Sequence, residues 1–296
     1  MGEMFAGVGL LGLLAGALWG VGDFSGGMAV KVAGGSTRSA LKVVLLSHAS
    51  SLVLLAGFAW WHGQQFPHGA GLLWGLAAGV LAGLSISAFY VALATGEMGS
   101  AAALSGLLAA AVPALVSGFT DGLPGWQRFT GFLVAGAAIW LIAAAGPPAG
   151  KTSATALAVV AGTGFGLYFV AVKFAVGGGV AWTLAAVRVG SILTCAVVLL
   201  ALILTGSGSA SRGGTTTLMC KRVLLWVLAT ATFDTAGNLF FVAATRAGRL
   251  DIAGVLASLY PASTILLAGV ILKERLTRRQ WLGMALAVAA VVLITL

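Results

Sequence analysis

One predicted helix carries a carboxylate, an amide and an aromatic ring on one side, in the middle of an apolar stretch. Asp234, Asn238 and Phe241 are four and three residues apart, so an α-helix aligns them, and Thr245 continues the stripe. A carboxylate can attract a cation or carry a proton, an amide can form hydrogen bonds, and a ring can stack on an apolar group. The set predicts a site for a small polar molecule; hydrogen bonding between helices is the structural alternative.

Two other apolar segments place ionisable groups beside aromatic rings. Asp23 follows Trp19 by one helical turn and either attracts an ammonium group, carries a proton, or lies at the membrane interface. Lys173 ends a second stripe and either attracts a carboxylate or extends to lipid headgroups. The rings of that stripe are Phe165, Tyr168 and Phe169. His48, in another apolar segment, is interpreted as a packed histidine.

The motifs of ATP-driven and metal-dependent chemistry are missing from the sequence. It contains no G-x-x-x-x-G-K-[ST] phosphate-binding loop, so we do not expect an ATP-driven pump. No cluster of His, Cys and Asp has metal-ligand spacing, and we expect neither a metal nor a cofactor. A membrane-embedded enzyme or assembly factor is the rival class, and it would need converging nucleophiles or metal ligands.

The composition indicates a protein that crosses a membrane several times. Of the 296 residues, 60% are hydrophobic and 8% are charged, whereas a soluble domain carries roughly a quarter charged residues. The apolar residues fall into runs of about twenty, the length that spans a hydrocarbon core. The net charge of +9 comes from basic residues in short loops, which act as topology signals and lipid contacts. We therefore expect lipid contacts and no binding of nucleic acid.

Loop signals divide the chain into ten predicted helices, and the ten form two sets of five. The predicted spans are 5–27, 40–61, 69–94, 100–120, 126–146, 154–176, 182–205, 223–246, 252–273 and 279–296. A shift of 146 positions aligns Trp19 with Phe165 and Lys42 with Arg188. In the third span, the face that corresponds to the Asp234 stripe includes Ser87 and Tyr90.

An odd number of spans in each half has a topological consequence. The second half must enter the membrane from the opposite side, which gives the inverted repeat found in many secondary transporters. The sequence thus predicts an all-α membrane protein, with ten transmembrane helices as two inverted five-helix repeats around a central cavity. The repeats are residues 1–150 and 151–296.

The segment "LYPASTILLAGVILKERLTRRQWLG", residues 259–283, resembles the closing motif of the EamA-type drug/metabolite transporters. The matching residues are Pro261, Glu274, Arg275, Leu276, Gln280 and Gly283. "LWGVGDFSGGMAVK" and "GFGLYFVAVK" resemble the opening helix of each repeat in that family. The first repeat departs from the pattern, because Pro113 is displaced and Asp121 stands for Glu with no Arg after it.

Both prolines occupy the fourth helix of their repeats, which the resemblance places beside the central cavity. Proline lacks an N–H, so Pro261 frees the carbonyl of Ala257 and Pro113 frees that of Ala109. In hydrocarbon such a carbonyl must face packed protein or a watery cavity. Each proline is either a hinge at the substrate site or a kink that only shapes the bundle. Tyr260, beside Pro261, is expected to line the cavity.

The resemblance implies a secondary transporter that exports small metabolites by alternating access from a bacterial cytoplasm across the inner membrane, as a monomer. Within that family we expect the chain to resemble the bacterial exporters of aromatic amino acids, and the candidate aromatic lining fits aromatic or other apolar amino acids. Sugars, nucleosides and drugs remain alternative substrates. Proton coupling and facilitated diffusion both remain open.

Two arguments disagree on orientation. Loops after odd-numbered spans carry eleven basic residues and loops after even-numbered spans carry five, which places both termini outside by the positive-inside rule. The resemblance implies cytoplasmic termini, and we adopt it because the family's acidic-Arg turn occurs at both membrane faces. A topology reporter fused to Leu296 should be active in the cytoplasm; activity only in the periplasm would reverse the assignment.

Overall fold

The computed structural model describes residues 2–95, 98–143, 152–175, 177–206, 220–273 and 277–295, and this part of the chain is helical without strands. The helices are α1 (Gly2–Val32), α2 (Thr37–Trp61), α3 (Gly69–Thr95), α4 (Met98–Thr120), α5 (Trp126–Ala143), α6 (Thr152–Phe174), α7 (Val180–Leu204), α8 (Lys221–Ala247), α9 (Leu250–Ala257), α10 (Tyr260–Ile271) and α11 (Arg278–Thr295). Each predicted span contains a helix, and the ninth contains two. The acidic-Arg turn at 274–276 lies outside the described residues.

Seven helical segments among the described residues are long and apolar enough to cross a membrane. They are α1, α2, α3, α6, α7, α8 and the stretch Leu250–Ile271 that comprises α9 and α10. The chain is therefore a multi-pass membrane protein. The remaining predicted spans form α4, α5 and α11, and the count of ten membrane crossings stays a prediction.

The helices of the two halves pack crosswise. Helix α1 packs on α8 while α3 packs on α6, so the first helix of each half contacts the third helix of the other. Helix α2 packs on α7, α4 on α9, and α5 on α11, which pairs helices of equal rank. Small residues allow this approach: Gly75, Gly79 and Gly83 of α3 all face α7. In lipid, such close contact has to supply the packing energy, because apolar burial does not.

A reciprocal contact between glycine and proline joins α4 to the stretch α9–α10. An added Cβ at Gly254 would lie 2.7 Å from Cγ of Pro113, and one at Gly106 would lie 2.8 Å from Cγ of Pro261. Within each half the glycine precedes the proline by the same number of residues. The prediction that Pro113 is displaced is therefore wrong, because each proline ring fills the gap beside the corresponding glycine of the opposite half.

The two prolines differ in what they do to their own helices. Pro261 lies in the first turn of α10, where its missing N–H would have no helical partner, and the chain breaks just before it. The carbonyl of Ala257 faces α1, where a Cβ at Gly16 would lie 2.7 Å from it. Helix α4 continues through Pro113. Packed protein therefore covers the Ala257 carbonyl, as expected.

The contact between glycine and proline can be tested by filling the gap beside Gly254. Gly254→Ala should destabilise the protein by about 1–3 kcal/mol, the usual effect of overpacking, because its methyl group meets the Pro113 ring. Gly57→Ala is the matched control, since no atom lies within 4 Å of an added Cβ there. Thermal unfolding in detergent measures the difference. Equal melting temperatures for the two variants would show that the gap between Gly254 and Pro113 accommodates a methyl group.

Candidate functional site

A cavity lies inside the helix bundle, with about 480 Å³ of space between its lining atoms including the part that is open to solvent. Its walls come from α1, α2, α3, α6, α7, α8 and α10. The lining residues are Trp19, Asp23, His48, Ala82, Ile86, Phe165, Tyr168, Phe169, Arg188, Asp234, Asn238 and Tyr260. Aromatic rings and ionisable groups therefore converge from both halves of the chain.

An ion pair between α7 and α8 forms part of the cavity lining. A terminal nitrogen of the Arg188 guanidinium (Nη2) donates to Oδ2 of Asp234 at 2.5 Å. Arg188 is only 2% exposed, so its charge needs this compensation, because an unpaired charge in the interior is costly. The guanidinium is therefore fixed in direction, and its Nε–H makes no hydrogen bond among the described residues.

His48 of α2 extends the ion pair into the first half of the chain. Nη1 of Arg188 lies 3.1 Å from Nε2 of His48, and Nδ1 of His48 lies 2.7 Å from Oγ of Ser191. A guanidinium can only donate, so Nε2 must accept and the ring proton belongs to Nδ1, which donates to Ser191. His48 is therefore a neutral imidazole in this arrangement and adds no charge to the cavity.

Asn238 ties the carboxylate of Asp234 to α6. Its Nδ2 donates to Oδ1 of Asp234 at 3.0 Å and to the Asp234 carbonyl at 2.7 Å, one turn earlier in α8. Its Oδ1 accepts the hydroxyl hydrogen bond of Tyr168. A continuous hydrogen-bond network thus connects α6, α8, α7 and α2 across the cavity wall, with the ion pair at its centre.

Asp23 is the second carboxyl group of the cavity and stands apart from this network. It is 7% exposed and lines the cavity, yet among the described residues it has neither a hydrogen bond nor an ion pair. Its neighbour Gly22 packs against Asp234, since a Cβ there would lie 3.1 Å from the Asp234 nitrogen. The two carboxyl groups thus lie at a similar depth in the bundle.

Stacked aromatic rings form the apolar wall. The rings of Trp19 and Phe169 are parallel to within 5°, with centroids 5.3 Å apart. Phe241 is completely buried behind them, 5.2 Å from Trp19 and 4.5 Å from Phe169. The indole of Trp19 lies on Gly237, where any side chain would collide with it. The ring positions are therefore set by packing, which prepares a flat apolar surface for a ligand.

Most of the predicted site residues are brought together here. Those that line the cavity are Trp19, Asp23, Phe165, Tyr168, Phe169, Asp234, Asn238 and Tyr260. Phe241 supports the wall from behind. Ser87 is buried against Cys195 of α7, with Oγ and Sγ 3.5 Å apart, and Tyr90 packs over Gly26 of α1. These three pack against neighbouring side chains and are not among the residues that line the cavity, so a contact of theirs with substrate stays a prediction.

Lys173 lies outside the cavity as well, in the last turn of α6. Its Nζ donates to Oδ2 of Asp121 at 2.8 Å, which joins the two halves at one end of the bundle. Arg249 reinforces this contact by donating to the backbone carbonyls of Asp121 and Gly122. Partial burial raises the pKa of Asp121, but the hydrogen bonds from Lys173 and Ser117 and the nearby positive charges outweigh it and hold that pKa below its ordinary value.

Sequence reasoning missed three residues of the network, His48, Arg188 and Ser191. Arg188 lies near the start of the seventh predicted span, and it was counted as a loop charge. Aligning it with Lys42 is wrong, because Lys42 is exposed whereas Arg188 is buried. Arg188, Ser191 and Cys195 repeat the spacing of His48, Ser51 and Leu55, and all six are buried. The available signal was an arginine within an apolar run that also carries small polar residues.

Comparisons with known proteins agree with this architecture. Residues 152–296 match the model of the EamA-like transporter family, so the second half of the chain carries such a domain. No curated protein matches the sequence. One solved crystal structure is similar to this chain, with a TM-score of 0.65 and 18% sequence identity. The alignment covers 97% of this chain and 95% of the other. That likeness shows the fold.

Proposed function

We propose that this chain, whose residues 152–296 form an EamA-like transporter family domain, is a secondary transporter that exports small molecules by alternating access. The observation that carries the proposal is the cavity between the two halves, with ionisable groups and aromatic rings at mid-depth of apolar helices. Buried ionisable residues in membrane helices mark pathways for substrates and ions. Direction, the bacterial inner membrane and the monomeric state follow from the family resemblance.

The two halves, residues 1–150 and 151–296, act as inverted five-helix repeats with ten crossings. Crosswise packing supports this, because exchanging the halves maps the pair α1–α8 onto α6–α3 and leaves α2–α7, α4–α9 and α5–α11 in place. The reciprocal fit of Pro113 on Gly254 and Pro261 on Gly106 supports it at residue level. Rocking of one half against the other would open the cavity to each side in turn, with the two prolines as hinges.

Amino acids with aromatic or other apolar side chains are the substrate class that fits the cavity chemistry. The rings of Trp19, Phe165 and Phe169 can bury the side chain. The unpaired carboxyl of Asp23 can receive the ammonium group. The Arg188 guanidinium also lines the cavity, and its positive charge suits the substrate carboxylate. Asn238 is committed to Asp234 and Tyr168, so it positions these partners more than it contacts the substrate.

Exchange through the cavity can be measured with two variants of the same helix. Ala82→Trp should fill the cavity, because Ala82 lines it, and should reduce exchange of labelled phenylalanine to the background of empty liposomes. Leu73→Trp is the control, since Leu73 is 67% exposed on the outside of α3 and the variant should exchange like the wild type. The assay is counterflow in proteoliposomes containing the purified chain.

The same liposomes decide between substrate classes. Phenylalanine and tryptophan should exchange, while uridine and glucose should not. Exchange of uridine or glucose alone would replace the amino-acid assignment. Wild-type liposomes that exchange none of the four compounds would contradict the amino-acid export proposed here, and equal exchange by the Ala82→Trp variant would place the pathway elsewhere.

A further inference from the structure

The charges that line the cavity do not balance. Two carboxyl groups, Asp23 and Asp234, face one guanidinium, that of Arg188. His48 contributes no charge, because its Nε2 accepts a hydrogen bond from Arg188 and therefore carries no proton. With both carboxyl groups ionised, the cavity holds one negative charge that no cationic side chain of its lining compensates.

Geometry assigns the excess charge to Asp23. The carboxylate of Asp234 contacts Arg188 at 2.5 Å and Asn238 at 3.0 Å, so it is paired and hydrogen-bonded. Arg188 is held by Asp234 on one nitrogen and by His48 on another. Asp23 has no comparable partner among the described residues. The sequence leaves open a proton-carrying role for Asp234, and its pairing with Arg188 argues against that role.

Among the described residues, no helix packed on α1 places a cationic side chain beside Asp23. Helix α8 presents Asp234 and the stretch α9–α10 presents Tyr260, both of which interact electrostatically with Asp23 without being cationic. Helix α3 presents Tyr90 and α2 presents the neutral His48.

The remaining charged groups on α1 and its partner helices belong to the ends of the bundle. Asp251 is paired with Arg249 at the start of α9. Two charged residues of α11, Arg278 and Arg279, are exposed at its start, and Lys31 is exposed in the last turn of α1. The negative charge of an ionised Asp23 can therefore be compensated only by a proton or by a cation that enters the cavity.

Water can solvate an ionised Asp23 only while the cavity is open to one side. When the cavity closes, a buried carboxylate without a counter-ion is strongly unfavourable, and it takes up a proton instead. A positively charged group on the substrate would satisfy it equally well. Closure of the cavity therefore favours Asp23 in one of two forms, protonated or paired with a cation.

We propose that Asp23 is an exchange site for one positive charge, occupied by a proton in the empty cavity and by the amino group of the substrate in the loaded cavity. When the ammonium group binds, the Asp23 O–H bond breaks and the proton leaves to the water on that side. When the substrate departs on the other side, the carboxylate takes up a proton from that side. One proton therefore moves against each substrate molecule. The inference rests on the proposed transport function and adds its coupling.

Proton release on ligand binding tests this exchange directly. We would titrate the purified full chain in weakly buffered detergent, at a mildly acidic pH, with three ligands that share a benzyl group. Phenylalanine and phenylalaninamide carry an ammonium group, and 3-phenylpropanoate has none. A pH indicator reports the protons released per ligand bound. We expect close to one proton for each of the first two ligands and none for 3-phenylpropanoate.

Variants identify the source of the proton. Asp23→Asn imitates the protonated carboxyl and should fold like the wild type, but its proton release should fall from one to zero, and its flux should no longer respond to a pH gradient. Asp23→Glu retains a carboxyl group and should restore release. Asp121→Asn, which removes a carboxyl group outside the cavity, should still release one proton. Release that persists in Asp23→Asn, or is lost in Asp121→Asn, would overturn the assignment.

The test also separates this inference from the proposed function. A wild type that exchanges phenylalanine without releasing a proton would contradict the coupling at Asp23 and leave the transport function intact. A wild type that binds none of the three ligands would contradict the substrate class. In that case the fluorescence of Trp19, one turn from Asp23, still reports titration of the carboxyl group. We expect a pH-dependent signal that Asp23→Asn abolishes, and an unchanged signal in that variant would overturn the inference.

Discussion

The ion pair between Arg188 and Asp234 is the constraint on which the rest of the site depends. A guanidinium buried among apolar helices is tolerable only if its charge is compensated at short range, and the 2.5 Å contact does so. Once that contact is made, Asn238 must hold the free oxygen of Asp234 and His48 must accept from the other side of Arg188. The pair thereby fixes four helices around one cavity and leaves Asp23 as its unpaired carboxyl group.

The packing between halves serves a different requirement, which is close contact between helix backbones. Glycines on α1, α3, α4 and α9 bring backbones together, and the prolines of each half fit against glycines of the other. Such contacts are stabilised by van der Waals packing, which is lost and regained cheaply when surfaces slide. By contrast, the Lys173–Asp121 pair at one end of the bundle is a directional contact between halves, and it must break for that end to open.

Much of the fold was predictable, because twenty-residue apolar runs and loop residues determine membrane helices with little help from tertiary contacts. The break between α9 and α10 was not predictable, because it depends on the contacts of Ala257 with α1 and of Pro261 with α4. The Asp234–Asn238 stripe was predictable because an ionisable group in mid-span needs a polar environment. Phe241 lies on the same stripe, but its ring packs against other rings behind the cavity. A helical face covers more surface than the cavity wall, so not every residue of the stripe reaches the cavity. Arg188 was not predicted as a site residue, because an arginine near the start of a span resembles a loop charge until its partner is known.

A double-mutant cycle on Arg188 and Asp234 tests the central claim most directly, with thermal unfolding of the purified protein in detergent as the measurement. Arg188→Gln should cost about 3–5 kcal/mol, because it leaves a buried carboxylate unpaired, while Arg279→Gln, at an exposed position, should change little. Adding Asp234→Asn to Arg188→Gln should recover a large part of the loss, because both charges are then removed together. Additive losses in the double variant, or an Arg188→Gln variant as stable as Arg279→Gln, would contradict the claim that this pair organises the site.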